Sequence, residues 1–226
     1  MALPKALRRL TPDVLRHDVR LRALAVGSGA IPPRTMHTRA EAALLAGLAA
    51  GRRRAVEIGV YEGSSALLLC RALPRDATLH LIDPFTNNAL RPGWRATEGA
   101  TRRVVARAAA RHGGPRIEWH PQTSEAAAVG WSSSVDLLWI DGDHTEAGCR
   151  LDWDTWSPWV PPGGVVVFHD AREGLPGGGG LPGPTRTVDA LFRGEGALAG
   201  WRLAAETDSA VVVERMISRG SNGAIV

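Results

Sequence analysis

The chain has only two cysteines, Cys70 and Cys149. That is too few for a disulfide scaffold, and a reducing, cytoplasmic setting is the simpler expectation. No apolar run approaches the roughly 20 residues that span a bilayer, and the opening MALPKALRRL lacks the long apolar core of a signal peptide. No membrane partner is expected. A basic stripe is also missing: the formal net charge is +4 and the pI near 10.0, but arginine is spread through the chain beside Asp and Glu, so no nucleic-acid partner is expected either. The dinucleotide fingerprint G-x-G-x-x-G is absent, because Gly59 has no glycine two residues on. What is present suits one well-buried domain: 226 residues, 44% of them hydrophobic.

The stretch that organises the rest is RAVEIGVYEGSS, residues 54–65. Ala55 to Gly59 reads as a short buried strand, the next residues to Gly63 as a turn, and Ser64 to Leu73 as a helix. Glycines in such a turn permit unusual dihedrals and close approach, and the unpaired N–H groups of the first helical turn attract a carboxylate or a phosphate. The next apolar run, Leu79-His80-Leu81-Ile82, ends in Asp83. An acid at that strand end accepts hydrogen bonds from ribose hydroxyls in nucleotide-binding α/β folds.

The pattern E-x-G-x-x-x-G-S-S, Glu57 to Ser65, together with Asp83, resembles class I S-adenosylmethionine (SAM)-dependent methyltransferases. Strands alternate with helices along the chain, which predicts a Rossmann-like, doubly wound, mainly parallel α/β sheet with a C-terminal antiparallel hairpin and an N-terminal helical extension. The expected division is a helical extension over residues 1–37, a SAM-binding domain over 38–217 and a frayed tail over 218–226. Residues 6–25 carry an amphipathic helical pattern that packs on the core or on a second subunit, and a homodimer is expected. Thr38 is read as the cap of a helix over Arg39 to Leu48. The loop from Pro84 to Arg95 reads as either a lid or a plain surface connection. The glycine-rich run GLPGGGGLPGP, residues 174–184, reads as either a disordered insertion or an active-site flap, with a helix only from Thr187.

The parallel-sheet reading brings Asp83, Asp141, Asp143, His144, His169 and Asp170 to the same carboxyl edge as Gly59. Asp143 alone serves equally well as a helix cap. IDGDH (140–144) and, later, PGG followed by HD (169–170) resemble bacterial small-molecule O-methyltransferases, including antibiotic-sugar enzymes, that are relatives of the catechol and caffeoyl-coenzyme A enzymes. The resemblance covers about residues 39–170. It implies that Glu57 binds the methionine amino group, that Gly59, Gly63 and Ser65 bind the carboxylate end, that Asp83 binds the ribose, and that Gln122 and Ser124 flank the adenine. It further implies metal-binding carboxylates at Asp141 and Asp170 and a general base at His144. His169 departs from the acid usual at its position.

Three arrangements at that departure stay open. His169 lies outside the ligand set of a magnesium ion; it is itself a ligand of a manganese-, zinc- or iron-type ion; or no metal binds and the carboxylates orient a substrate diol. The expected activity is SAM-dependent methyl transfer to a hydroxyl of a small molecule, a natural-product sugar or a phenol, with magnesium or manganese assisting. The alternatives are an NAD(P)-dependent oxidoreductase and a non-catalytic ligand-binding module of the same fold.

Overall fold

The structure, a computed structural model, describes residues 18–86 and 95–217. Within them the chain forms α1 (Val19–Ser28), α2 (Arg39–Ala49), β1 (Arg54–Ile58), α3 (Ser64–Ala72), β2 (Thr78–Ile82), α4 (Arg95–His112), β3 (Arg116–His120), α5 (Ser124–Ala128), β4 (Leu137–Ile140), α6 (Glu146–Trp156), β5 (Val165–Phe168), α7 (Pro182–Phe192), β6 (Trp201–Thr207) and β7 (Ala210–Arg215). The expected amphipathic pattern before Asp18, the greater part of the Pro84–Arg95 loop and the C-terminal tail fall outside the described residues.

One seven-stranded sheet has the order β3-β2-β1-β4-β5-β7-β6. Five strands are parallel, and β7 and β6 add antiparallel at one edge, as the sequence predicts. Alternation along each strand divides the core between two faces. Ala55, Leu137, Leu79 and Val167 meet Leu45 of α2, Leu69 of α3 and Val105 of α4, whereas Val56, Leu138 and Phe168 meet Trp153 and Trp156 of α6 and Val188 and Leu191 of α7. Both faces are therefore buried, which is why these strands read as continuous apolar runs rather than alternating ones. Trp139 of β4 lies in the core, 1% exposed. No helix among the described residues is long and apolar enough to cross a membrane.

Several boundaries differ from the sequence expectation. The helical pattern expected over residues 6–25 runs on through Ser28 in α1, which ends on left-handed Gly29 (φ 87°). The helix after β4 is capped by Thr145, whose side chain accepts the Gly148 N–H, while Asp143 accepts the N–H of Thr145 in the preceding turn. The glycine-rich run holds a defined course and its last residues already belong to α7, because Pro182 supplies a helical φ at the first position of the helix. Gly183 then packs so tightly that a methyl group there would lie 2.2 Å from the carbonyl oxygen of His144.

Candidate active site

The sheet topology sets the C-terminal ends of β1, β2, β4 and β5 side by side, and the site forms at that edge. Its first half is the turn from β1 to α3. Gly59 is left-handed (φ 88°), and a methyl group on it would lie 2.0 Å from the backbone oxygen of Asp141. The glycine is thus demanded by the end of β4 as well as by any ligand. Tyr61 (φ 51°) and Gly63 (φ 86°) are also left-handed. For Tyr61 this is a sparsely populated conformation that surrounding bonds must enforce. They do: Asp83 accepts the N–H groups of Val60 (3.0 Å) and Tyr61 (2.8 Å), and the Thr101 hydroxyl donates to the Tyr61 carbonyl (2.8 Å). Gly63 is the N-cap of α3 and has no side chain to offer, so the first N–H groups of α3 are left without a side-chain cap.

Glu57 is fully buried below this turn, with one carboxylate oxygen bonded to the Ser65 hydroxyl and Oε2 without any partner. Burial pushes its carboxyl up to about 8, with Asp141 and Asp83 adding to the effect and the Ser65 hydrogen bond opposing it. An orphaned acceptor of this kind fits a cationic amino group. Ser65 therefore acts here on Glu57. Asp83, 7% exposed, also accepts the Phe85 N–H (2.7 Å), so of about four acceptor positions on a carboxylate about one remains for a ribose hydroxyl. Burial raises its pKa, against the three backbone N–H groups. At the β3 end Gln122 is exposed, whereas Ser124 is buried and donates to Asp152. Burial pushes Asp152 up to about 6.

The second half is a cluster of acids and histidines. His144 Nε2 lies 3.0 Å from Asp170 Oδ2 and 3.4 Å from Asp141 Oδ1. His169 Nδ1 lies 3.1 Å from Asp141 Oδ1 and 3.3 Å from Asp170 Oδ1. Asp170 is left-handed (φ 55°), a strained conformation of the kind found at functional sites. Hydrogen bonds to Asp141 and Asp170 lift His144 to about 10 against its burial. Burial works against a charge on His169, but Asp141, Glu41 and Asp170 outweigh it and raise that imidazole to about 10 as well. Burial likewise opposes ionisation of Asp141, yet the two histidines hold it at about 2. One donor atom each from Asp141, His144 and Asp170 lie within 4.8 Å of one another, a spacing that a single metal ion can bridge.

Two members of this cluster are not apparent from the sequence. Glu41, fully buried, is the capping-box acid of α2, taking the Thr38 N–H. The same carboxylate accepts the N–H (2.9 Å) and hydroxyl (2.6 Å) of Ser209 and lies 3.6 Å from His169 Nε2. Burial opposes its ionisation, but the nearby His169 imidazole and the hydrogen bonds from Ser209 and Thr38 lower it to about 2. His37 is half-buried nearby; burial lowers its pKa, and His169 lowers it further. The only sequence signal was the Thr38-x-x-Glu41 box, which explains a helix start and nothing more. The glycine-rich run lies over this half: a methyl group on Gly177 would meet the Glu41 carboxylate at 2.6 Å, and one on Gly179 would lie 3.4 Å from Asp170 Oδ2.

A family model described as a methyltransferase domain matches residues 56–171, just over half of the chain and the span that holds most of both half-sites. The chain belongs to this methyltransferase family. The oxidoreductase alternative falls with that assignment. Among curated proteins, an uncharacterised protein of Sinorhizobium fredii is 29% identical over 131 residues, which is 53% of this chain and 13% of that relative. The chain therefore spans only a small part of that relative's length.

Among the solved structures that share this fold are two O-methyltransferases. The O-methyltransferase of tomaymycin synthesis from Streptomyces achromogenes, in complex with SAM, has a TM-score of 0.60 at 19% identity, over 88% of this chain and 90% of that one. The Bacillus cereus O-methyltransferase in complex with S-adenosylhomocysteine (SAH) has a TM-score of 0.59 at 16% identity, over 94% and 97%.

Proposed function

We propose that this methyltransferase acts on a hydroxyl of a small molecule, a natural-product sugar or phenol bearing neighbouring oxygens, in the cytoplasm. The observation that carries the reading is the position of His144 between Asp141 and Asp170, in the loop after β4 whose Asp141 backbone packs against the cofactor turn at Gly59. An imidazole and two carboxylates thus stand beside the turn assigned to the methyl donor. Both structural neighbours are O-methyltransferases, in agreement with this acceptor class.

SAM supplies a methyl group already activated on a sulfonium, so the chain's task is to align a nucleophile and take its proton. In the proposed arrangement Glu57 Oε2 receives the methionine amino group, the uncapped amides of α3 receive its carboxylate, and the free acceptor position of Asp83 receives a ribose hydroxyl. Gln122 and Ser124 border the adenine, Ser124 through its backbone surroundings, since its hydroxyl is held by Asp152. A divalent ion, manganese rather than magnesium where an imidazole joins the donors, would be held by Asp141 and Asp170 and would favour the ionised hydroxyl.

His144 is held as an imidazolium by the two carboxylates, and an imidazolium cannot accept a proton. It becomes a base when acceptor hydroxyls or a cation take over those carboxylate oxygens, because the oxygens are what raise its pKa. His169, fixed by Asp141 on one side and Glu41 on the other, keeps the Asp141 carboxylate turned toward the site.

The direct test is thermal unfolding of EDTA-treated protein with SAH, with and without magnesium or manganese, followed by a screen of sugars, catechols and simple alcohols for methylated product. A ligand at 100 times its dissociation constant adds about 2.7 kcal/mol, well within detection. Stabilisation by SAH with turnover of a vicinal diol or catechol supports the reading. Methylation confined to nitrogen acceptors or to RNA would overturn it, and SAH binding with no turnover of any acceptor would favour the non-catalytic module.

A further inference from the structure

Glu62 takes no part in the chemistry above, yet it is a nearly buried carboxylate, 5% exposed, in the middle of the cofactor turn. It stands between Tyr61 and Gly63, both left-handed. Its oxygens are taken by the N-terminal segment. Arg22 of α1 donates Nε to Oε1 (2.6 Å) and Nη2 to Oε2 (2.7 Å), and the backbone N–H of Arg34 donates to Oε2 (2.7 Å). The Arg22 side chain is itself only 12% exposed. Pro32 and Pro33 precede Arg34 and bar a helical course there, so the segment after α1 crosses Glu62 without regular secondary structure. It continues to His37, Thr38 and Glu41 at the acid–histidine cluster. On its other side α1 packs on α4, where Arg107 donates to the Gly27 carbonyl (2.8 Å).

We propose that Arg22 and Glu62 form a clasp by which the N-terminal segment positions the cofactor turn and thereby sets its affinity for the adenosyl cofactor, Glu62 acting as a positioning residue that does not itself touch the ligand. The inference rests on the assignment of residues 59–65 to the cofactor. A turn with left-handed Gly59, Tyr61 and Gly63 does not hold its shape by local preference. The amides it must present, at the start of α3, lack a side-chain cap, so their aim depends on the turn alone. Binding is strongest when such donors are set beforehand and need no ordering on contact. A bidentate guanidinium–carboxylate pair fixes direction as well as distance, and it also neutralises a carboxylate that would otherwise repel the anionic end of the ligand. A nearly buried ion pair is weak support for stability in itself, but it can specify one geometry.

The test is calorimetric titration of the full chain with SAH, well below each variant's Tm, for wild type, Arg22→Lys, Arg22→Ala, Glu62→Gln and the reversed pair Arg22→Glu with Glu62→Arg. The clasp predicts a rise in Kd of about tenfold for Arg22→Ala and Glu62→Gln. Arg22→Lys, which keeps the charge and loses the fork, should fall between these variants and wild type, and the reversed pair should regain part of the affinity. Faster amide exchange at residues 60–65 should accompany the loss. Should Arg22→Ala fail to fold, Arg22→Lys and Glu62→Gln carry the test. A Kd unchanged in both, even with a lower Tm, would show that the pair only fastens α1 and would overturn the clasp. No SAH binding by the wild-type chain would overturn the assignment of the turn and the clasp with it.

Discussion

The two halves of the site touch at Gly59 and Asp141 but handle buried charge in opposite ways. Glu57 has a serine hydroxyl for company, one oxygen with no partner, and a pKa driven up by burial. Asp141 and Glu41 have histidines within reach and are held at about 2 despite their burial. The first arrangement is incomplete until a cation arrives. In the second each carboxylate has a histidine nearby, although His169 Nε2 is itself buried without a hydrogen-bond partner, and those pairs must be partly dismantled before His144 can take a proton. Binding and chemistry therefore separate along the same sheet edge, and substitutions should separate them too.

The largest effect is expected from the cluster. Removing a general base lowers turnover by roughly 10²–10⁴, so His144→Ala and Asp141→Asn should lose that much in kcat while the Kd for SAH stays within about twofold. A similar loss of SAH affinity would mean that the two halves are not separable in this way. Gly59→Ala comes next, because it strikes their junction. A methyl group 2.0 Å from the Asp141 carbonyl oxygen, at φ 88°, combines overpacking with a left-handed alanine and should destabilise the fold by about 2–4 kcal/mol in denaturant melts. Loss of SAH binding and of turnover together in the surviving protein would mark this position as shared.

The cofactor half was legible in the sequence because its parts are close in the chain. Glu57, Gly59, Gly63 and Asp83 belong to one strand–turn–helix–strand unit whose local pattern dictates its geometry. Strand β5 reads the same way, since an apolar run such as Val165–Phe168 bounded by turns leaves little choice. The cluster was legible only in its strand ends, Asp141, His144, His169 and Asp170. Glu41 was not, because its role depends on Ser209, far along the chain, and on His169, and a capping-box glutamate looks the same with or without such partners. The resemblance assigns Ser65 and Ser124 to the cofactor, and only the fold shows that their hydroxyls bond Glu57 and Asp152. The start of α7 was hidden for a different reason. Its glycine and prolines argue against a helix by propensity, whereas packing against His144 demands the glycine.

Glu57→Gln sharpens the contrast at moderate size. The amide keeps a partner for Ser65 but loses the ionised acceptor, so SAH affinity should fall about tenfold, the scale of one hydrogen bond to a charged group. The stability of the empty protein should move the other way with pH. A carboxyl raised from 4.5 to about 8 in the fold favours folding fully below pH 4.5, and that contribution is lost as pH rises through 8. Glu57→Gln should therefore melt above wild type near pH 8–9, with the gap closing toward pH 4.5. A constant offset across that range would show that Glu57 is ionised in the empty site.

The smallest effect tests whether the glycine-rich run belongs to the cluster. Gly177 and Gly174 are both left-handed (φ 90° and 78°), but a methyl group on Gly177 would press on the Glu41 carboxylate at 2.6 Å, while one on Gly174 meets nothing within 4 Å. Alanine carries the same backbone penalty of about 1–2 kcal/mol at either position, so the difference between the two variants isolates the contact with Glu41. Gly177→Ala should lower kcat a few-fold, with SAH affinity unchanged, because Glu41 fixes His169 and, through it, Asp141. Gly174→Ala should alter only the Tm. Equal turnover in the two variants would make the run a surface loop that merely passes over the acids, whereas a deficit confined to Gly177→Ala would join it to the chemical half of the site.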